Sequence, residues 1–274
     1  MIIGIDIGST TTKIVGLEDG EQFAMLTVKA FDPVTSAAGA LGKFLIENKV
    51  PISRVESIAL TGAGATKIED NIFDIRTEKV PEVQSIGFGG TYLSKRCNGL
   101  IANIGTGTAL VDVSDRGVVH VGGTGVGGGT IVGLAKKIIN VSDYDRINEL
   151  ARHGRLGEVD LLINDISETD IGFITKDMTA SNFAKMAETA RDEDYALGIL
   201  NMVFQVIGMV TVFAARSLGY DTVVITGNVG RNDVAYNVLS EISDMYHIDY
   251  LFPDNAQYAT AIGAALSIKN RTIL

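Results

Sequence analysis

Cysteine, proline and positive charge are all scarce in this sequence. The single cysteine, Cys97, excludes an intrachain disulfide and a metal cluster held by several cysteines of one chain. It is read as a small, partly buried apolar residue, and a reducing cytoplasm is the expected location. Four prolines and no low-complexity tract leave no room for long linkers. Lysine and arginine number 23 against 33 aspartates and glutamates, a net charge of −10. That balance disfavours nonspecific binding to nucleic acid or to an anionic membrane. It does not disfavour a nucleotide site, because backbone N–H groups bind phosphate without side-chain charge. The opening MIIGIDIGS has neither a basic segment nor a long apolar run, so no signal peptide is read there. Residues 196–215 are apolar over a length that could span a bilayer. Asn201, Gln205 and Thr211 interrupt them, so a buried or dimer-interface helix is expected rather than a membrane span.

The chain has 274 residues and is 46% apolar, enough for a sizeable core in one large domain or two small ones. Its 31 glycines fall largely in clusters, which points to special backbone turns. Apolar alternation predicts strands at 1–6, 12–18 and 22–29, with Asp19-Gly20 as a hairpin turn. A helix over 37–48, a strand at 57–61, a helix near 64–70 and a helix over 81–96 with Pro81 in its first turn follow. The pattern then restarts. Strands are expected at 99–104, 108–113 and 118–121, and helices over 128–140 and 143–152, the latter capped by Ser142. A further helix is suggested over 156–166, then helices over 179–189 and 192–218. A buried strand at 222–226, a helix over 230–246, a strand at 248–252 and a helix over 256–268 complete the chain. The expected fold is α/β: two related domains, 1–98 and 99–274, around a nucleotide cleft.

The candidate site begins at Asp6-Ile7-Gly8-Ser9-Thr10-Thr11-Thr12-Lys13. An apolar strand delivers a carboxylate, glycine permits a tight turn, and hydroxyls and a lysine follow. Such a turn aims several donors at one point, as a polyphosphate requires. Asp6 is placed to hold Mg²⁺ directly or through water, and Lys13 to meet a phosphate as a point charge. Taken alone, the segment reads equally well as a hairpin whose Asp6 and Ser9 satisfy the backbone. It is not a Walker A sequence. The second turn, Gly105-Thr106-Gly107-Thr108, repeats glycine and hydroxyl at equivalent places, so the pair is read as clamping one ATP between two lobes. Gly127, Gly128 and Gly129 precede a helix and are read as an anion site at its N-terminus. Gly227, Asn228 and Gly230 follow a buried strand and are read as the adenosine contact, the alternative being an N-cap turn at Asn228.

These four turns in this order resemble the actin–hexokinase–Hsp70 ATPase superfamily, whose domains are RNase H-like. Within it the sequence is similar to the type II (eukaryotic-like) pantothenate kinase family. The residues carrying the likeness are IGIDIGSTTTKIV, ANIGTGTALV, VGGTGVGGGTIVGL, SDYDRINELARHG and DMTASNF, with Gly263 in the last helix. The resemblance implies transfer of phosphate from ATP to pantothenate, with Mg²⁺, as the first step of coenzyme A synthesis. It implies a homodimer built on a long helix, which suits 192–218, and CoA or acyl-CoA as regulator. It also implies a glutamate general base, and Val80-Pro81-Glu82 stands at that position. Thr106, Ala109 and His120 fall at the acceptor side. There the family has a serine in place of Ala109 and an arginine in place of His120, and a histidine cannot make the same forked contact. A kinase for another small alcohol, such as pantetheine or a sugar, is therefore the alternative. A non-catalytic ATP- or acyl-CoA-binding module is a further rival. So is a dehydratase-activating ATPase, against which Cys97 supplies only one thiolate per chain.

Overall fold

Strand β1 (Ile2–Ile7) is buried along almost its whole length and shows no polar alternation, because both faces of the sheet it centres are covered. The computed structural model describes residues 1–29, 31–167, 175–229 and 232–272, the last three of these by backbone alone. Strands β2 (Thr11–Glu18) and β3 (Glu21–Lys29) return antiparallel from β1. Helix α1 (Pro33–Glu47) then crosses the outer face; its N-cap, Asp32, accepts from the Thr35 amide at 2.9 Å. Strands β4 (Ser57–Thr61) and β5 (Thr77–Lys79) join parallel, giving the order β3-β2-β1-β4-β5.

Helix α2 (Glu82–Ser94) leads into the second half. There β6 (Gly99–Ile104), β7 (Thr108–Ser114) and β8 (Gly117–Thr124) form an antiparallel run, followed by α3 (Gly128–Ile138) and α4 (Tyr144–Ala151). A small pair, β9 (Leu161–Leu162) and β10 (Thr179–Ser181), stands apart from both large sheets. Helix α5 (Asp192–Leu218), β11 (Thr222–Thr226), α6 (Asp233–Tyr246), β12 (Asp249–Leu251) and α7 (Ala259–Thr272) complete the chain. The second sheet runs β12-β11-β6-β7-β8, which is the plan of the first sheet repeated.

The two sheets are joined through α2 and α7, and glycine makes that contact possible. Helix α7 lies on the inner face of the first sheet, where Ala261, Ile262 and Ala265 pack with Val15 and Leu17. Helix α2 lies on the inner face of the second sheet, where Ile86 packs with Ile101, Val111 and Val113. At their crossing, a Cβ on Gly89 would stand 1.8 Å from the Ala259 carbonyl oxygen, and one on Gly263 would stand 1.8 Å from that of Ser85. The backbones touch, so the last helix of the chain locks the first sheet to the helix that begins with Glu82.

Helix α5 is long and apolar enough to cross a membrane by length and composition, but 61% of its apolar window is buried against the rest of this chain. Phe204, Ile207 and Val212 pack with the inward residues of α3, α4 and α6. Its outward stripe is also apolar: Met202, Val206, Met209 and Phe213 recur at helical spacing, with Phe213 63% exposed.

Several local expectations are corrected. Residues 63–67 make a short 3₁₀ turn where a helix near 64–70 was expected. Pro81 is the N-cap of α2 and lies outside its first turn. Asp143, one residue after the expected Ser142, caps α4 by accepting from Arg146 N–H at 2.9 Å. The expected helix over 156–166 is two 3₁₀ turns flanking β9. The expected helix over 179–189 is also absent, and Asp160 explains why. Its carboxylate is fully buried and accepts from Thr179 Oγ1, Asn182 Nδ2, the Phe183 amide and Asn201 Nδ2 at 2.8–3.2 Å. Four donors converging from a short stretch and from α5 require an extended and then turning backbone, with Phe183 and Met186 at positive φ. Cys97, expected to be partly buried, is exposed.

Candidate active site

β1 and β6 each end in a tight turn. In the first, the Gly8 amide donates to the Thr11 carbonyl at 3.1 Å; in the second, the Gly105 amide donates to the Gly107 carbonyl at 2.9 Å. The tips of the two turns meet. The hydroxyls of Ser9 and Thr106 are 3.0 Å apart, and Asn228 Nδ2 donates to Thr11 Oγ1 at 3.3 Å. Three loops from two sheets thus converge at the C-terminal ends of β1, β6 and β11, the end at which open α/β sheets take ligands. Ser9, Thr10 and Thr106 are exposed there. The amides of Ser9, Thr10, Thr106 and Gly107 donate to no backbone carbonyl among the described residues, so they remain available to an anion.

The strand register sets Asp6 opposite Lys13 on one side and opposite Thr61 on the other. Carboxylate and ammonium lie 3.7 Å apart, both nearly buried. Burial pushes the Asp6 carboxyl above its ordinary value, and the Lys13 charge opposes that rise. Gly62 follows Thr61 at φ 84°, and a Cβ there would fall 2.5 Å from Asp6 Oδ1. The Thr61 hydroxyl is buried and has no partner among the described residues. An unpartnered hydroxyl beside a carboxylate marks a wet, oxygen-lined position. Such donors suit Mg²⁺, which is held by one or two carboxylates while keeping waters and phosphate oxygens. Among the described residues no three His, Cys, Asp or Glu side chains are grouped to cage a metal, so Asp6 would serve as a single protein carboxylate.

Glu82 is the first residue of α2. A helix N-terminus favours an ionised carboxylate, yet the Glu82 carboxyl lies above its ordinary value. Lost hydration is the main cause and the Asp6 charge the next, with Lys13 opposing. Glu82 therefore feels the same cleft as the Asp6–Lys13 pair while its side chain stays open to solvent. An accessible carboxylate with raised proton affinity is suited to general-base work.

The glycine run acts differently from the expected anion site. The Gly128 amide donates to the Gly105 carbonyl at 2.9 Å, and the Gly129 amide donates to that of Thr106 at 2.8 Å. The Gly127 amide donates to Thr130 Oγ1 at 3.2 Å. With these donors taken, the run buttresses the second turn. Thr108 does the same, donating its hydroxyl to the Val126 carbonyl at 2.9 Å. Gly227 has φ 94° and lies so close to β6 that a Cβ would come within 2.3 Å of the Ile104 oxygen. Asn228 is exposed in the cleft, and Gly230 lies outside the described residues. The cap of α6 is Asn232, whose Oδ1 accepts from the Ala235 amide at 2.6 Å, so Asn228 is free of that role.

Of the residues expected on the acceptor side, Ala109 lies with Val111 on the face of the second sheet that α2 covers, packed with Val83 and Ile86. His120 pairs with Val111 across β7 and β8, which puts it on the same face, and it is exposed. Ala109 and His120 therefore share the side of the sheet on which α2 carries Glu82. Thr61-Gly62 was missed in the sequence, though the signal was present: LTG ending β4 and ITG ending β11 stand at equivalent places in the repeat.

A family model described as Fumble matches residues 98–267, more than half of the chain. A type II pantothenate kinase of Bacillus anthracis is 28% identical over 279 residues, covering 98% of each protein. One from Staphylococcus aureus (strain USA300) is 27% identical over 276 residues, covering 96% of this chain and 98% of that protein. Among solved structures, the activator of the 2-hydroxyisocaproyl-CoA dehydratase from Clostridium difficile with bound ADPNP is similar over 100% of this chain and 97% of its own. Its TM-score is 0.68 at 20% identity. A ROK family glucokinase from Streptomyces griseus in complex with glucose and AMPPNP is similar over 97% of this chain and 98% of its own. Its TM-score is 0.62 at 12% identity. These two structures show the fold alone.

Proposed function

This chain belongs to the Fumble family, and from that premise we propose that it phosphorylates pantothenate with ATP, giving 4′-phosphopantothenate, the first step of coenzyme A biosynthesis. Relatives named type II pantothenate kinase match it over nearly its full length. The observation that carries the reading is Glu82, which opens α2 on the sheet face shared by Ala109 and His120 and whose carboxyl feels the charges of the Asp6–Lys13 pair.

The amides of the two turns and Lys13 hold the phosphates. Mg²⁺, when bound through Asp6, supplies charge neutralisation on the phosphate oxygens. Glu82 orients the primary hydroxyl and takes its proton as the oxygen attacks the γ-phosphorus and ADP leaves. Positioning and electrostatic stabilisation supply most of the acceleration in phosphoryl transfer. We take the lobes as domains 1–98 and 99–274, with α7 returning to the first sheet.

The acceptor is tested by a coupled ADP-release assay on pantothenate, pantetheine and a sugar, over a range of pH. Pantothenate is expected to give the highest kcat/KM. His120 and Ala109 favour a second reading, another small alcohol, and no turnover on pantothenate with turnover on another alcohol would establish it. The acid limb of kcat/KM reports the base of the free enzyme. Because the Glu82 carboxyl is raised, activity is expected to fall on acidification through a value above the ~4.3 of an ordinary glutamate. A limb at or below that value would remove Glu82 from the role. In the same assay CoA and its thioesters are the proposed inhibitors.

The protein is proposed to be a soluble cytoplasmic homodimer joined along the outward stripe of α5. Light scattering is expected to give a dimer for the wild type and a monomer for Phe213→Arg at micromolar concentration. A desolvated arginine without a partner is costly at the centre of an apolar contact. A monomeric wild type would rule this interface out.

A further inference from the structure

We infer that Tyr144 and Asn148 of α4 are positioning residues for ATP, acting through Asn232 on the loop that follows β11. This rests on the reading above, in which that loop meets the nucleoside end of ATP.

The Tyr144 hydroxyl accepts from Asn232 Nδ2 at 2.6 Å and donates to the Val229 carbonyl at 3.3 Å. Its one proton and its lone pairs are thus both engaged, and each bond holds a different end of the loop. Asn232 Nδ2 also donates to Asn148 Oδ1 at 3.2 Å, while Asn232 Oδ1 caps α6. Val229 is itself fixed against the second phosphate turn: its amide donates to the Ile104 carbonyl at 3.3 Å, and its side chain lies where a Gly128 Cβ would be. A continuous set of contacts therefore runs from α4 through Tyr144 and Val229 to the turn at Gly105–Thr108. Burial pushes the Tyr144 phenol up to about 12, so the proton it gives to Val229 stays in place at any working pH.

The clasp stands at the edge of an open cavity. A cavity of about 200 Å³ opens beside it, lined by Asp145 and Asn148 of α4 with its C-cap Arg152, and by the α6 N-cap Asn232 with Asp233 and Val234. Two α4 residues one turn apart and the C-cap that follows face it, and Arg152 Nε meets Asp233 Oδ2 at 2.9 Å across it. Asn148 and Asn232 thus join the two walls of an open cavity, and the loop bearing Asn228 leaves from one of those walls. Fixing the loop at Val229 and Asn232 sets how far Asn228 stands from the phosphate turns, to which it reaches through Thr11.

The test uses Tyr144→Phe and Asn232→Asp in the full chain. Tyr144→Phe keeps the ring and removes both hydroxyl bonds. Asn232→Asp keeps the acceptor that caps α6, since aspartate caps as well as asparagine, but loses the donor to Tyr144 and Asn148. Both variants are expected to raise the Kd and KM for MgATP roughly three- to tenfold, the worth of one or two net hydrogen bonds. KM for the acceptor should stay at the wild-type value and kcat within about twofold. Tm of Asn232→Asp should stay close to wild type. Unchanged MgATP affinity in both variants, whatever their Tm, would overturn the inference. Because Kd for MgATP is measured without acceptor, absence of pantothenate turnover in the wild type would overturn the functional reading and leave this test standing.

Discussion

Glu82→Gln is expected to lower kcat by about 10²–10⁴, the usual worth of a positioned general base, while leaving the Kd for MgATP and the Tm near wild type. Glutamine keeps the shape of the side chain and removes its ability to take a proton. The Glu82 side chain makes no hydrogen bond or ion pair among the described residues, so the substitution leaves the contacts of the fold in place. The Glu82 carboxyl is also raised in part by Asp6, so neutralising it relieves a repulsion in the cleft. Metal and phosphate binding should then be unchanged or slightly tighter. Proton transfer belongs to the transition state, so the loss should appear in kcat with KM for ATP unaffected. An undiminished kcat would show that another group takes the proton. A fall in MgATP affinity matching the fall in rate would place Glu82 in ground-state binding instead.

The role proposed for Glu82 came from the family resemblance, but the framework around it was legible because it depended on local order along the chain. Strand, glycine turn and returning strand occur twice, and the two sheets repeat one plan. Asp6 opposite Lys13 follows from hairpin register alone. The position of Glu82 at a helix start followed from Pro81. Features set by contacts distant in sequence were not legible. Consecutive glycines before a helix suggest free amides, but carbonyls of the 105–107 turn had already engaged those of Gly128 and Gly129. The run 179–189 has helical composition, yet the buried Asp160 claims its donors from some twenty residues upstream. Asn232 looked like any polar residue until the fold brought Tyr144 to it. The paired LTG and ITG segments lay between these cases: visible as a repeat, but meaningful only once Thr61 stood next to Asp6.

The second large effect is expected at the helix crossing that carries Glu82. Gly263→Ala should lower Tm by several degrees and kcat by about 10²-fold. The added Cβ would stand 1.8 Å from the Ser85 oxygen, where real Cβ atoms keep at least 3.0 Å, so α2 and α7 must part by about an ångström. Overpacking of this kind costs about 1–3 kcal/mol, which sets the loss in Tm. The rate should suffer further because Ser85 lies in the same first turn of α2 as Glu82, and a misplacement of about 1 Å at the reacting centre can cost 10²-fold. Gly89→Ala meets the Ala259 carbonyl at the same 1.8 Å and should behave alike. In the double variant the helices have already parted, so its cost should fall short of the sum of the two single costs. Gly39→Ala in α1 is the control: its Cβ meets nothing within 4 Å, and helix propensity favours alanine there by about 0.5–1 kcal/mol. A Gly263→Ala protein with lowered Tm but wild-type kcat would make the crossing purely structural and cut its link to the base. Lowered kcat with near-normal MgATP affinity would establish that close packing of two glycines, Gly89 and Gly263, holds the Glu82 carboxylate in the position its proposed role requires.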